Sequence, residues 1–283
     1  MDEALDVALE LARGLKVIAR ENSGKFIDGE DNYGVTGDAT FEVDVPIEDE
    51  VERFFKESDL PCRVMTEDRG IIDYGEDPEF IFLIDPLDGS RNARRNLPFY
   101  CCSIAVYDIG ASELSDALCA VVERFDADEE FTAVRGKGAK LNGELISPSS
   151  KKNLKDAVAE VGAHFASSLP IYSDVMSNLG GLAERQERDV WVKCYGSTAL
   201  ELAYLACGRV DLMCELRAAS GFDATPKTYD IAAGLLLCSE SGAVIEYGKD
   251  KIPEKLPLDP SLNTQFLGAG NRELFKVLAN SLR

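Results

Sequence analysis

The sequence predicts a mixed α/β chain in two parts, and three observations predict it. Between Tyr100 and Val134, apolar stretches follow one another with connections too short for crossover helices, so they read as antiparallel strands. From Ala157 onward, strand-like and helix-like segments alternate, the pattern of helices packed on a sheet. Between these runs lies Ser147-Pro148-Ser149-Ser150-Lys151-Lys152, a polar, proline-bearing stretch that marks a boundary between an N-terminal part, 1–150, and a C-terminal part, 151–283.

The elements follow from local pattern. Leu5, Ala8, Leu9, Ala12, Leu15 and Ala19 recur at helical spacing, which predicts an amphipathic helix over residues 2–20. Gly29 to Gly37 reads as a mobile loop. Phe41 to Val45 alternates like a strand, after which Pro46 opens a helix whose buried face is Ile47, Val51, Phe54 and Phe55. Cys62–Met65 is a short apolar segment; strands are expected at Phe80–Ile84, Tyr100–Tyr107, Leu118–Val122 and Glu130–Val134, and a hairpin at Gly136–Gly143. In the second part, strands are expected at Ala157–Val161, Val190–Cys194, Val210–Glu215 and Thr264–Gly268. Helices are expected near Tyr172–Leu182, from Thr198 to Gly208, from Asp230 to about Gly242, and over Arg272–Leu282.

The chemistry concentrates at Phe80-Ile81-Phe82-Leu83-Ile84-Asp85-Pro86-Leu87-Asp88-Gly89-Ser90. An unbroken apolar run reads as a strand buried on both faces, because a half-exposed strand would alternate. Its end delivers Asp85 and Asp88 to one sheet edge. Pro86 cannot donate to a ladder, so a turn is expected there, with Gly89-Ser90 opening a helical turn. Two carboxylates attract a hard cation, and amides at a helix start attract phosphate. An Asp-Pro-x-Asp-Gly string is also ordinary turn chemistry, and Asp230 alone reads as a helix cap. The functional reading comes from their company, Thr66-Glu67-Asp68 and the apolar run that follows Asp230.

Composition bounds the partners. A net charge of −21 opposes nucleic acid and anionic membranes. No apolar run has the length of a bilayer span and the start is acidic, so a cytoplasmic protein is expected. The eight cysteines form no Cys-x-x-Cys pair, and Cys101, Cys102, Cys207 and Cys238 sit in apolar stretches as small hydrophobes. His164 is the only histidine, which excludes a histidine-based triad and a multi-histidine metal site.

Taken in order, Asp44, Glu67-Asp68, Asp85-Pro86-Leu87-Asp88-Gly89-Ser90 and Tyr229-Asp230-Ile231-Ala232-Ala233-Gly234 resemble the motifs of the inositol monophosphatase family. Gly136 to Gly143, and Gly196-Ser197-Thr198-Ala199-Leu200 with Gly208-Arg209-Val210-Asp211, look like further landmarks, so the resemblance spans nearly the whole chain. It implies an α/β/α/β/α layered sandwich and a magnesium-dependent phosphomonoesterase using two or three Mg2+ ions. By the same resemblance, Glu67, Asp85 and the Leu87 carbonyl hold one ion and Asp85, Asp88 and Asp230 the other. Asp44, Ser90 and Glu67 are the implied catalytic residues. Asp88, Gly89, Ser90, Lys193, Thr198, Glu215 and Arg217 are the implied contacts to substrate, with Lys227 near by. Glu215-Leu216-Arg217 looks most like archaeal members that act on both fructose-1,6-bisphosphate and inositol-1-phosphate, which makes a phosphorylated sugar or cyclitol the expected substrate and a homodimer the expected assembly.

This chain departs from the family pattern at Asp68, where a second Glu is usual, at Ser90 for the commoner Thr, at Tyr229 for Trp, and in a long Ala218–Lys227 segment. Three other readings stay open at this level. Within the family, a 3′-phosphoadenosine 5′-phosphate or NADP phosphatase would prefer adenine-bearing substrates. A haloacid-dehalogenase-like enzyme would need Asp-x-Asp, but Leu87 stands at that offset from Asp85. A calcium-binding or interaction protein is disfavoured by the absence of an EF-hand loop.

Overall fold

The computed structural model describes residues 2–25, 32–33, 39–184, 189–218, 221, 224–247 and 255–281. The Gly29–Gly37 stretch lies outside them except for Asn32–Tyr33 (β1), which pair antiparallel with Ala39–Thr40 (β2).

The first sheet holds β3 (Cys62–Thr66), β4 (Gly70–Tyr74), β5 (Phe80–Asp88), β6 (Cys101–Asp108), β7 (Cys119–Arg124), β8 (Glu129–Val134), β9 (Gly138–Leu141) and β10 (Glu144–Leu145), in the order β10-β9-β8-β7-β6-β5-β3-β4. Only β3 and β5 run parallel; the other pairs are antiparallel, as their short connections require. β5 is buried on both faces: Phe82 and Ile84 enter one core, Ile81 and Leu83 another. The first of these cores is closed by α1 (Asp2–Asn22) and α2 (Val45–Glu57), through Ala8, Leu11, Ala12, Leu15, Ile47, Val51 and Phe55. A five-residue helix, α3 (Ser90–Arg94), follows β5.

The second sheet, in the order β12-β11-β13-β15-β14, is drawn wholly from residues after 157: β11 (Val158–Val161), β12 (Trp191–Lys193), β13 (Leu212–Glu215), β14 (Val244–Tyr247) and β15 (Phe266–Ala269). β11 runs parallel to both β12 and β13, so the carboxyl ends of these three strands share one edge. Helices α5 (Thr198–Ala206) and α6 (Thr228–Ser241) lie between the sheets, sharing one core with Leu83 and Ala105 of the first and Met213 and Phe266 of the second. Gly234 lets them touch, since a Cβ there would press within 2.5 Å of Leu202 Cβ. Helices α4 (Leu169–Glu184) and α7 (Arg272–Ser281) cover the outer face through Tyr172, Val175, Leu274 and Leu278. The result is the α/β/α/β/α order. Among the described residues no helix is long and apolar enough to cross a membrane.

Two local expectations are corrected. Residues 42–44 form a turn, not the end of a strand, because the Asp44 amide donates to Phe41 O (2.9 Å) and Asp44 Oδ2 accepts the Phe41 amide (2.6 Å), spending the groups a ladder would use. Nor does the central strand stop at Pro86: it passes through a bulge and pairs again at Asp88 opposite Cys101. The bulge excuses Pro86 from donating. Strands β4 and β14 join the sheets unforeseen.

Candidate active site

The bulge in β5 sets the spacing of the site. Asp85 Oδ1 accepts the Leu87 amide (2.9 Å), closing the bulge, and the strand delivers Asp88 to the α5 start. There Asp88 Oδ2 accepts the Ser197 hydroxyl (2.8 Å) and the Ala199 amide (2.7 Å), a carboxylate from the first sheet bonded to a hydroxyl and an amide at a helix N-terminus. Asp230 arrives on the first turn of α6, where its Oδ2 also accepts the Lys227 amide (2.5 Å). Asp230 is therefore the third residue of α6 and not its N-cap, which is Lys227; its carboxylate reaches back to the cap amide while lying beside Asp85 and Asp88. Asp85, Asp88 and Asp230 each present an oxygen within 4.8 Å of the others.

Burial, then the charge of Asp230, pushes both Asp85 and Asp88 well above the usual carboxylate range; Glu67 adds to the effect on Asp85, while the Ser197 and Ala199 donors oppose it on Asp88. Clustered acids of this kind are relieved by protons or by a cation. An all-oxygen donor set suits a hard divalent cation, so these residues fit one. Glu67 sits half-buried in the turn after β3, near enough for its charge to act on Asp85. The Leu87 carbonyl accepts the Ser90 hydroxyl (2.7 Å).

Asp44 lies just before α2, within hydrogen-bonding reach of Ser90. Burial lifts its carboxyl to about 7, against the Phe41 hydrogen bond and the nearby Ser90 hydroxyl, which lower it. Its Oδ1 accepts no hydrogen bond, which follows if Ser90 gives its one proton to Leu87. Glu48, not singled out by sequence reasoning, is likewise buried and lifted to about 7; it accepts the Asp68 amide (3.1 Å), and Asp68 in turn accepts the Thr40 hydroxyl. Gly89 adopts φ 91°, and a Cβ there would meet Phe99 O and Tyr100 Cβ at 3.0 Å, so the turn into α3 is built for glycine.

The remaining candidates are more dispersed. Thr198 is buried at the start of α5 beside Ser197. Glu215, at the end of β13, and Arg217 bind each other: Arg217 Nη2 donates to Glu215 Oε2 (2.8 Å) and Nε to Oε1 (3.0 Å), while Nη1 holds Ala224 O (2.8 Å). Lys193 is on edge strand β12 with its ammonium 5.9 Å above the Trp191 ring, and Lys227 bonds Asn263 (2.6 Å). Residues 219–220 and 222–223 of the Ala218–Lys227 segment lie outside the described residues. Ser197 was missed because one more Ser before a helix reads as a cap; its partner is a strand 109 residues away.

A model of the inositol monophosphatase family matches residues 1–283. The fructose-1,6-bisphosphatase/inositol-1-monophosphatase of Methanothermobacter thermautotrophicus is 30% identical over 287 residues, covering 99% of this chain and 95% of that protein. Nus factor SuhB of Pasteurella multocida is 30% identical over 247 residues, covering 87% of this chain and 85% of its own. In fold, the crystal structure of the extragenic suppressor protein SuhB of Bartonella henselae matches with a TM-score of 0.78 at 23% identity, over 99% of this chain and 98% of that one. This chain belongs to the inositol monophosphatase family, a family of metal-dependent phosphatases.

Proposed function

We propose that this protein is a Mg2+-dependent phosphomonoesterase acting on fructose-1,6-bisphosphate, inositol-1-phosphate or both. The observation that carries the reading is the convergence of Asp85, Asp88 and Asp230, from a strand and a helix far apart in sequence, beside the Asp44–Ser90 pair. The name printed for the Methanothermobacter relative supports the substrate class.

In this proposal Glu67, Asp85 and the Leu87 carbonyl would hold one cation, and Asp85, Asp88 and Asp230 another. Two divalent cations bound there would supply the charge that activates water and neutralises the leaving oxygen. The chain's own residues move the proton. Ser90 accepts a proton from the attacking water as it turns its own from Leu87 O to Asp44 Oδ1. The Gly89 and Ser90 amides orient the phosphate at the turn into α3. Glu215, held rigid by Arg217 and the Tyr172 hydroxyl (3.3 Å), is the proposed partner of substrate hydroxyls, with Thr198 as a further substrate contact and Lys193 and Arg217 as cations toward a second phosphate. The division at residue 150, a homodimer and a cytoplasmic location complete the proposal.

Phosphate release, with and without Mg2+, on fructose-1,6-bisphosphate, inositol-1-phosphate, 3′-phosphoadenosine 5′-phosphate and NADP tests it. Mg2+-dependent turnover of the first two is expected. Preference for the adenine-bearing pair would overturn the substrate class and leave the metal assignment standing.

A further inference from the structure

A second group of ligand-type side chains stands in the C-terminal half. Glu160 on β11, His164 in the segment after β11, and Glu201 on α5 each offer a donor atom within 4.8 Å of the others. Glu160 is 0% exposed, and its carboxylate oxygens meet no donor beyond a proton shared with the facing Glu201 carboxyl. Lys193 stands opposite it in the ladder, yet the Lys193 ammonium lies over Trp191. Glu201 is 1% exposed and anchored by the Gly196 amide (2.8 Å). Cys194 Sγ lies 3.1 Å from His164 Nδ1 and steadies the ring.

The surrounding charges do not satisfy this pair. Glu215 is a third acid whose field reaches Glu160 and Glu201, and it is already matched by Arg217. Arg91, whose charge reaches His164, is stacked between Phe41 and Phe165 at 5.3 and 5.1 Å from their ring centres. A buried carboxylate without a donor costs several kcal/mol, and an apolar residue at position 160 would avoid that cost. Burial pushes Glu160 and Glu201 to keep protons, and a cation bound between them would take the place of those protons. Two carboxylates and an imidazole around one point neutralise a divalent ion, and the nitrogen donor selects the zinc class over the harder cation suited to the three aspartates.

We propose that Glu160, His164 and Glu201 bind a divalent transition-metal ion of the Zn2+ class, at a site separate from Asp85, Asp88 and Asp230. Such an ion would tie the end of β11 to α5, the helix whose first turn holds Asp88.

The sequence provides a clean test, because His164 is the only histidine. The untagged full-length chain is dialysed against Zn2+ in excess Mg2+, and Cu2+-loaded protein is examined by pulsed electron paramagnetic resonance. One retained Zn2+ per chain and imidazole nitrogen coupling are expected, with Zn2+ affinity falling at least about tenfold in both Glu160→Gln and His164→Ala. A spectrum with oxygen ligands only, no retained Zn2+, or undiminished binding in His164→Ala would overturn the site and leave Glu160 and Glu201 sharing a proton instead. The wild-type spectrum decides the matter even if a variant fails to fold. Because the readout is metal binding, phosphatase failure and failure of this site are distinguishable.

Discussion

Asp88 and Ser197 join the two halves of the chain: Ser197 Oγ donates to Asp88 Oδ2 across 2.8 Å, and the Ala199 amide reaches the same oxygen at 2.7 Å. The start of α5 thereby fixes an acid of the candidate metal cluster. Ser197→Ala removes one of these donors and should weaken apparent Mg2+ affinity by about 10–100-fold. The check is the Mg2+ concentration at half-maximal phosphate release; an unchanged value would mean that Ser197 does not position Asp88.

Asp44→Asn should lower kcat by about 10²–10⁴-fold, the usual worth of a general base, with little change in the Mg2+ requirement. Steady-state kinetics across a Mg2+ series separates the two. A large rise in the Mg2+ requirement with kcat preserved would place Asp44 among the metal-holding residues instead.

Metal-free protein should lose stability as pH rises from about 4 toward about 7. Asp44 and Glu48, lifted by burial to about 7, bind protons more tightly folded than unfolded. Their contribution is complete below the unfolded value near 4 and is lost as pH climbs through the folded one. Asp44→Asn should remove one proton from the linkage, flattening the slope by at most about 1.4 kcal/mol per pH unit. Urea unfolding in chelator at several pH values measures it, and identical slopes for variant and wild type would contradict the assignment.

Gly89→Ala forces a side chain onto φ 91° and against Phe99 O and Tyr100 Cβ, both 3.0 Å from the added carbon. A loss of about 1–3 kcal/mol is expected, read as a lowered unfolding midpoint. An unshifted midpoint would show that the turn relaxes freely.

The layered fold was legible because its signals are local. The run Phe80–Ile84 announced a strand buried on both faces, and its alternate residues do enter two cores. Asp85 and Asp88 were legible as a pair for the same reason, since four residues of one strand end carry them. Phe41–Val45 misled because Phe41 and Val43 are both buried while the backbone between them is used in a turn closed by the Asp44 side chain. Glu160 and Glu201 escaped notice: each is a lone acid in an apolar segment, and only the packing of α5 against the end of β11 makes them neighbours. A charged residue inside a helix otherwise buried all round, as at Glu201, is the signal that would have found them.

The most direct measurement is Mg2+-dependent phosphate release from fructose-1,6-bisphosphate and inositol-1-phosphate by Asp85→Asn, with its fold followed by circular dichroism. Asp85 is the acid shared by both proposed cation positions, so the account predicts a folded protein with turnover abolished. A folded variant that retains turnover would contradict the two-metal site.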